Sequence, residues 1–247
     1  RKKAWPKWPI HGPEEEHNLR DVLHAKSWWM GEKTIQFEKD YAAFQDAKHG
    51  IACANGTVAI EAALLAAGVG FGDEVITTPF TFVATVSSIL KVNALPIFAD
   101  IDPVTGNLDP NDVERRITPR TRAIVPVHVA GLPVDVDRFA QIARKRKLRL
   151  IYDAAHGWGS QWRGKGVGAY GDFSTYSFQA SKNITAGEGG IILSCDDQLA
   201  ELARSYINCG RLPRGAWYEH FLVGANLRLC EFASAVLLAQ LGRLEAQ

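Results

Sequence analysis

The sequence is that of an α/β protein: a three-layer α/β/α sandwich around a mostly parallel sheet of about seven strands. Two observations give the layers. Short, largely apolar runs recur at 51–54, 74–77, 96–100, 123–127, 149–153, 172–177 and 191–194, and amphipathic helical segments at 57–67, 80–91, 111–117 and 135–147 separate most of them. Strands that lack polar alternation are buried on both faces, which requires helices above and below a parallel sheet. A third observation marks the exception. Between 172 and 194 two strand runs follow each other with only a loop rich in glycine and hydroxyls between them.

The elements follow in order. Residues 1–13 carry Trp5-Pro6-Lys7-Trp8-Pro9, an irregular extended arm whose two tryptophans are expected to dock. Residues 14–25 have helical period, Trp28-Trp29-Met30-Gly31 makes a turn, and Ile35, Phe37, Tyr41 and Phe44 space a helix over 34–47. The alternation described above then runs to Ser194. A helix over 197–206 follows, then a loop of glycine, proline and aromatics to Asn226, and a last helix over 229–244. That helix runs into polar residues with no stop signal, and the first residue is Arg1, so a longer natural chain is expected.

Composition narrows the function classes. The 247 residues are 47% hydrophobic and 22% charged with a net charge of +1, so no basic field points to nucleic acid. The basic cluster at 144–147 ends a helix and complements its dipole. No apolar run approaches ~18 residues, so no membrane span is expected. Cys53, Cys195, Cys209 and Cys230 show no metal-ligand spacing and read as reduced thiols of a cytoplasmic protein.

Chemistry collects where ligands bind in open α/β sheets, at the carboxyl ends of parallel strands. Asn55-Gly56-Thr57 opens a helix after a strand, a phosphate site if its N–H groups are free, or an ordinary N-cap. Asp153 ends the apolar Leu150-Ile-Tyr152, so its carboxylate needs a cation. His156 follows three residues on, as a group facing a ring oxygen or as a core histidine. Phe82, entering a helix, could stack on a planar ring or be plain core. Lys182, between two strands, is an amine whose burial would favour its nucleophilic form, or a loop lysine beside a glycine hinge. Ser177, five residues before it, could bond a phosphate. Together these residues supply a phosphate cradle, a ring sandwich, an acid for a ring nitrogen and an amine for an aldehyde. That set matches pyridoxal phosphate.

The chain resembles the DegT/DnrJ/StrS aminotransferases, which place pyridoxal phosphate on the aspartate-aminotransferase (type I) fold. The resemblance rests on Ser177-Phe-Gln-Ala-Ser-Lys-Asn-Ile-Thr-Ala-Gly-Glu-Gly-Gly190, Asp153-Ala-Ala-His156, Asn55-Gly-Thr57 and Gly224-Ala-Asn-Leu-Arg228, in that family's order. It implies that Lys182, Asp153 and His156 are catalytic. Lys182 would form the Schiff base, Asp153 would pair with the pyridinium, Phe82 would stack on the ring, and His156 would lie near the ring oxygen. Gly56, Thr57 and Ser177 would hold the phosphate. Asn226 would reach the phosphate of a neighbouring subunit, making a homodimer with active sites at the interface; otherwise it caps the last helix.

The resemblance divides the chain into an arm and helix (1–33), a cofactor-binding domain (34–228) and the start of a helix (229–247). That helix would lead to a small C-terminal domain that this sequence lacks. Gln179 stands where many sugar aminotransferases carry His or Tyr. With Trp28-Trp29-Met30-Gly31 it resembles the branch of 3-amino-5-hydroxybenzoate synthases and cyclitol aminotransferases. The implied reaction moves an amino group from glutamate or glutamine to a keto-sugar or keto-cyclitol, in amino-sugar or antibiotic biosynthesis. The alternatives are an aromatising dehydratase on the same scaffold, a silent regulatory homologue, or a nucleotide-binding module. Sugar 3-dehydratases of this scaffold carry His in place of the lysine, so Lys182 argues against that subclass.

Overall fold

The computed structural model describes residues 8–213 and 215–244. Trp5, Pro6 and Lys7 of the expected arm lie outside them. In chain order the strands are β1 (His49–Cys53), β2 (Glu74–Thr77), β3 (Leu95–Phe98), β4 (Thr121–Val125), β5 (Arg149–Asp153), β6 (Gln161–Trp162), β7 (Lys165–Gly166), β8 (Phe173–Ser177) and β9 (Gly190–Ser194). β6 and β7 make a separate hairpin, too short to leave a periodic trace in the sequence. The other seven form one sheet in the order β1-β9-β8-β5-β4-β2-β3. β9 is antiparallel to both its neighbours and the remaining pairs are parallel, so β9 alone runs against the other six. The cause is local. A loop with no crossover helix can join only antiparallel neighbours. As a result the β8–β9 loop lies at the same rim as the carboxyl ends of β1, β4 and β5.

Helices α1 (Pro13–Ala25), α2 (Glu32–Phe44), α3 (Gly56–Ala66), α4 (Val83–Lys91), α5 (Pro110–Arg116), α6 (Val136–Arg146), α7 (Asp197–Ile207) and α8 (Glu231–Gly242) cover the sheet. Adjacent strand residues point to opposite faces. Thus Ile51, Ile151 and Ile192 join the core with α3 and α7, whereas Ala52, Ile191 and Leu193 join the core with α2 and α8. Leu150 and Tyr152 pack with α6 in a third cluster. α3 carries Val58, Ala59, Ile60, Ala62, Ala63 and Leu64 all buried, as expected of a helix enclosed on several sides.

Two helices start later than their sequence pattern suggests. The segment 80–82 bends instead of entering the helix: Thr78 Oγ1 accepts the Phe80 N–H at 3.0 Å and Phe82 is extended, so α4 begins at Val83 with Phe82 as its N-cap. Leu229 and Cys230 are likewise extended, held by bridges Trp29–Cys230 and Cys53–Arg228, so α8 begins at Glu231. Asn226 therefore does not cap it. The described end of the arm docks on this chain: the Trp8 indole donates to Ala180 O at 2.9 Å, and Ile10 O accepts from Gln240 at 2.9 Å and from Arg243 at 3.1 Å.

Glu231 is buried and joins the two ends of the described chain. Its carboxylate accepts the N–H groups of Gly31 (2.8 Å) and Lys33 (2.6 Å) and the Thr34 hydroxyl (2.6 Å), capping α2 from a distance. Glu231→Ala leaves those buried and half-buried donors without their acceptor. It should cost about 2–3 kcal/mol in urea unfolding at unchanged slope. A midpoint equal to that of the parent would contradict this role.

Candidate active site

The site assembles at the rim that the β8–β9 loop shares with β1, β4 and β5. After β1 the chain turns into α3, with Asn55 as N-cap accepting the Val58 N–H at 3.0 Å. Gly56 and Thr57 follow. Their N–H groups have no acceptor inside the helix, and both residues line a cavity of about 940 Å³. Only glycine fits at 56, because a Cβ there would lie 2.7 Å from Ser177 Cβ. Gly190 is equally confined, since its Cβ would lie 2.4 Å from Asn55 O. These close approaches set the start of α3 against the end of β8 and the start of β9. Gly56→Ala should destabilise the fold by about 1–3 kcal/mol and weaken retention of a phosphate-bearing ligand. Thermal unfolding with and without that ligand would measure both effects. Unchanged retention would place the phosphate elsewhere.

Asp153 ends β5 at the cavity floor and is 4% exposed. Its Oδ2 accepts the Thr85 hydroxyl at 2.7 Å and its Oδ1 accepts the Ala155 N–H at 3.1 Å. Burial raises its pKa and outweighs both hydrogen bonds and the pull of His156 and Lys182. The carboxyl is thus oriented but short of a cation. His156 lines the same cavity and is exposed, which overturns the core-histidine alternative. Partial desolvation of its ring at the cavity wall lowers its pKa, the charge of Lys182 adds to this, and Asp153 opposes it. The buried core histidine is instead His128, which stacks on Tyr152 at 5.0 Å and accepts the Val134 N–H at 3.2 Å. Burial pushes its pKa down to about 3, so it is neutral.

Lys182 lies in the β8–β9 loop, whose turns are held from within. Its own N–H donates to Gln179 O at 2.8 Å, Ala180 N–H to Gly187 O at 2.9 Å, and Thr185 Oγ1 to Phe178 O at 2.8 Å. Gln179 Oε1 accepts from Ser181 N–H (2.8 Å) and Oγ (2.7 Å). The Lys182 side chain is half-buried and lines the cavity, not the solvated surface of a hinge. Burial lowers its pKa against the pull of Asp153, favouring the neutral amine.

Phe82 lines the cavity and is 76% exposed, so it is not core. An exposed aromatic at a cavity wall can cover a flat ring. Ser177 lines the cavity beside Gly56. Asn226 is exposed and is not among the residues lining this cavity; its backbone bridges to Asn208. The structure thus brings together every expected site residue except Asn226. It adds Thr85, which aims Asp153, and Trp158, whose ring lies near the Lys182 amine. Neither left a signal in the sequence, since a helical Thr and a loop Trp have ordinary roles elsewhere. The donor set fits pyridoxal phosphate: a helix start with free N–H groups for phosphate, an amine with lowered pKa, and a buried acid lacking a cation.

A three-layer sandwich with lysine, acid and helix start on one rim defines the type I fold of pyridoxal-phosphate enzymes. Residues 9–247 match the DegT/DnrJ/EryC1/StrS aminotransferase family, and the chain belongs to it. It is 40% identical over 247 residues to a 3-amino-5-hydroxybenzoate synthase of Amycolatopsis mediterranei (strain S699), covering 98% of this chain and 64% of that protein. It is 45% identical over 234 residues to a pleiotropic regulatory protein of Geobacillus stearothermophilus, covering 94% and 62%. The crystal structure of 3-amino-5-hydroxybenzoic acid synthase superposes with a TM-score of 0.95 at 40% identity over 98% of this chain and 64% of that one. An aminotransferase from Psychrobacter cryohalolentis gives 0.94 at 34% identity, over 98% and 65%. The chain therefore spans less than two thirds of the length of these relatives. Similar proteins cover several reactions, including GDP-perosamine synthase and a putative L-glutamine:3-amino-2,3-dideoxy-scyllo-inosose aminotransferase. No helix among the described residues is long and apolar enough to cross a membrane.

Proposed function

We propose that this chain carries the cofactor-binding site of an aminotransferase that moves an amino group from glutamate or glutamine to a keto-sugar or keto-cyclitol. One observation carries the reading: an amine with lowered pKa and a buried, cation-seeking acid share one cavity with a helix start suited to phosphate. Pyridoxal phosphate, when bound, supplies an aldehyde for amines and a ring that accepts the electrons of a carbanion. The chain's residues supply the rest. Lys182 binds the cofactor through Nζ. When not bonded to the cofactor, the same Nζ would take a proton from the donor's α-carbon and deliver it to the carbon that carried the cofactor's aldehyde oxygen. Asp153, aimed by Thr85, holds a proton on the ring nitrogen. Gly56, Thr57 and Ser177 would bind the phosphate, Phe82 would cover the ring, and His156 would face its oxygen.

Asn226 belongs to a second copy's site in this reading, which fits its exposure and its place outside its own cavity, and makes the working unit a homodimer. The cofactor-binding unit is residues 34–228. Similarity to the Amycolatopsis synthase favours a second reading, an aromatising amine synthase using the same Lys182. Similarity to the Geobacillus regulatory protein favours a third, in which binding persists without turnover. An absorbance spectrum of the purified protein, before and after glutamine or glutamate, separates them. Loss of the cofactor's visible band with release of the matching 2-oxo acid supports amino transfer. An unchanged band with either donor would refute it.

A further inference from the structure

Trp158 is not among the residues lining the cavity, and the chemistry above does not use it. Its indole N–H donates to Ser177 O at 3.0 Å, which pins the ring to the end of β8. Behind, the ring packs on the core beneath α2 and α8. In front, Lys182 Nζ lies 5.7 Å from the ring centroid, within the ~6 Å reach of a cation–π contact. The His156 ring is 5.9 Å away and tilted by 49°. One side chain therefore touches the phosphate-side strand end, the amine and the neighbouring imidazole.

We propose that Trp158 is a positioning residue for Lys182: the pinned indole offers its face as the place where Nζ waits whenever the amine is unbonded. The inference rests on the reading of Lys182 as the amine that carries the cofactor. It assigns a task to a residue that this reading leaves idle. A free amine on a flexible stem must be kept within reach of the α-carbon it deprotonates, and a fixed aromatic face restricts where it can go.

The ring acts on the amine in two opposed ways. Its bulk removes water, which disfavours the ammonium form, whereas its π face attracts that form. Leucine of comparable apolar character keeps much of the first effect and loses the second. Asp153, His156, Glu188 and Lys91, the other charged or titratable groups lining the cavity, keep their identity in such a variant, and of these four only His156 is in ring contact with Trp158. A difference in the amine's titration then reports the ring.

The test uses the full chain freed of cofactor. Acetylation of the Lys182 peptide by acetic anhydride is followed across pH by mass spectrometry for the parent, Trp158→Phe and Trp158→Leu. The apparent pKa of Lys182 should fall in that order, by about 0.5–1 pH unit for leucine. An equal pKa in all three proteins, or a rise in the phenylalanine variant, overturns the proposal. A merely structural tryptophan would lower thermal stability and leave the pKa in place. If the leucine variant does not fold, parent against phenylalanine decides. In a parallel arm, pyridoxal phosphate is fixed with borohydride and the label is mapped. Label on Lys182 with a flat pKa series overturns the role of Trp158 alone. Label on another residue overturns the underlying reading as well.

Discussion

Replacing Lys182 with alanine should lower amino transfer by at least about 10³-fold and remove the covalently bound cofactor's visible absorbance. The size follows from the number of tasks that one atom performs. In the proposed reading Nζ both bonds the cofactor and moves the proton, and among the described residues the other lysine lining the cavity, Lys91, has its Nζ 3.9 Å from Glu61 of α3. Lys182→Arg should be nearly as damaging although it keeps a positive charge, because guanidinium stays protonated and is no nucleophile. Stability should change little, since the loop around Lys182 is held by backbone and Thr185 hydrogen bonds that do not involve the lysine side chain. An alanine variant that keeps the parent's spectrum would remove the basis for the proposed chemistry.

The second large effect is expected at Asp153. Asp153→Asn keeps the shape but cannot hold a charged partner, so turnover should fall by about 10²–10³-fold. Stability should respond in the opposite sense. The folded pKa of Asp153 is raised by burial. An acid whose folded pKa lies above its unfolded value destabilises the fold once pH rises past the unfolded value. Near neutral pH the cofactor-free asparagine variant should therefore unfold at the same or a higher urea concentration than the parent. Loss of activity without loss of stability separates a site residue from a core residue. An active asparagine variant would show that no protonated ring nitrogen depends on this carboxyl.

The layers and most of the site were legible in the sequence because each rests on short-range patterns. Apolar runs of strand length report burial on both faces, and Asn55-Gly-Thr57 reports a helix start wherever it falls. The β8–β9 pair was legible because the absence of a crossover helix is visible in the chain itself. Thr85 and Trp158 were not legible, since their roles depend on which strand end they meet in space. Thr85 serves Asp153 across 68 positions of sequence. The late starts of α4 and α8 escaped for a related reason: a side-chain hydroxyl and two long-range bridges hold residues with helical spacing out of the helix. Asn226 is a different case, because its proposed partner belongs to another molecule.

The capping of α2 by Glu231 bears on how the molecule is made. On the ribosome, residues 31–34 leave the exit tunnel some two hundred positions before the carboxylate that completes their helix. β1 faces the same delay, because its sheet neighbour among the described residues, β9, is translated after the other strands. Nascent chains halted after β8 and before β9 should hence keep α1, α2 and β1 sensitive to protease while the other parallel strands already resist it. The segment synthesised first is among the last to be locked.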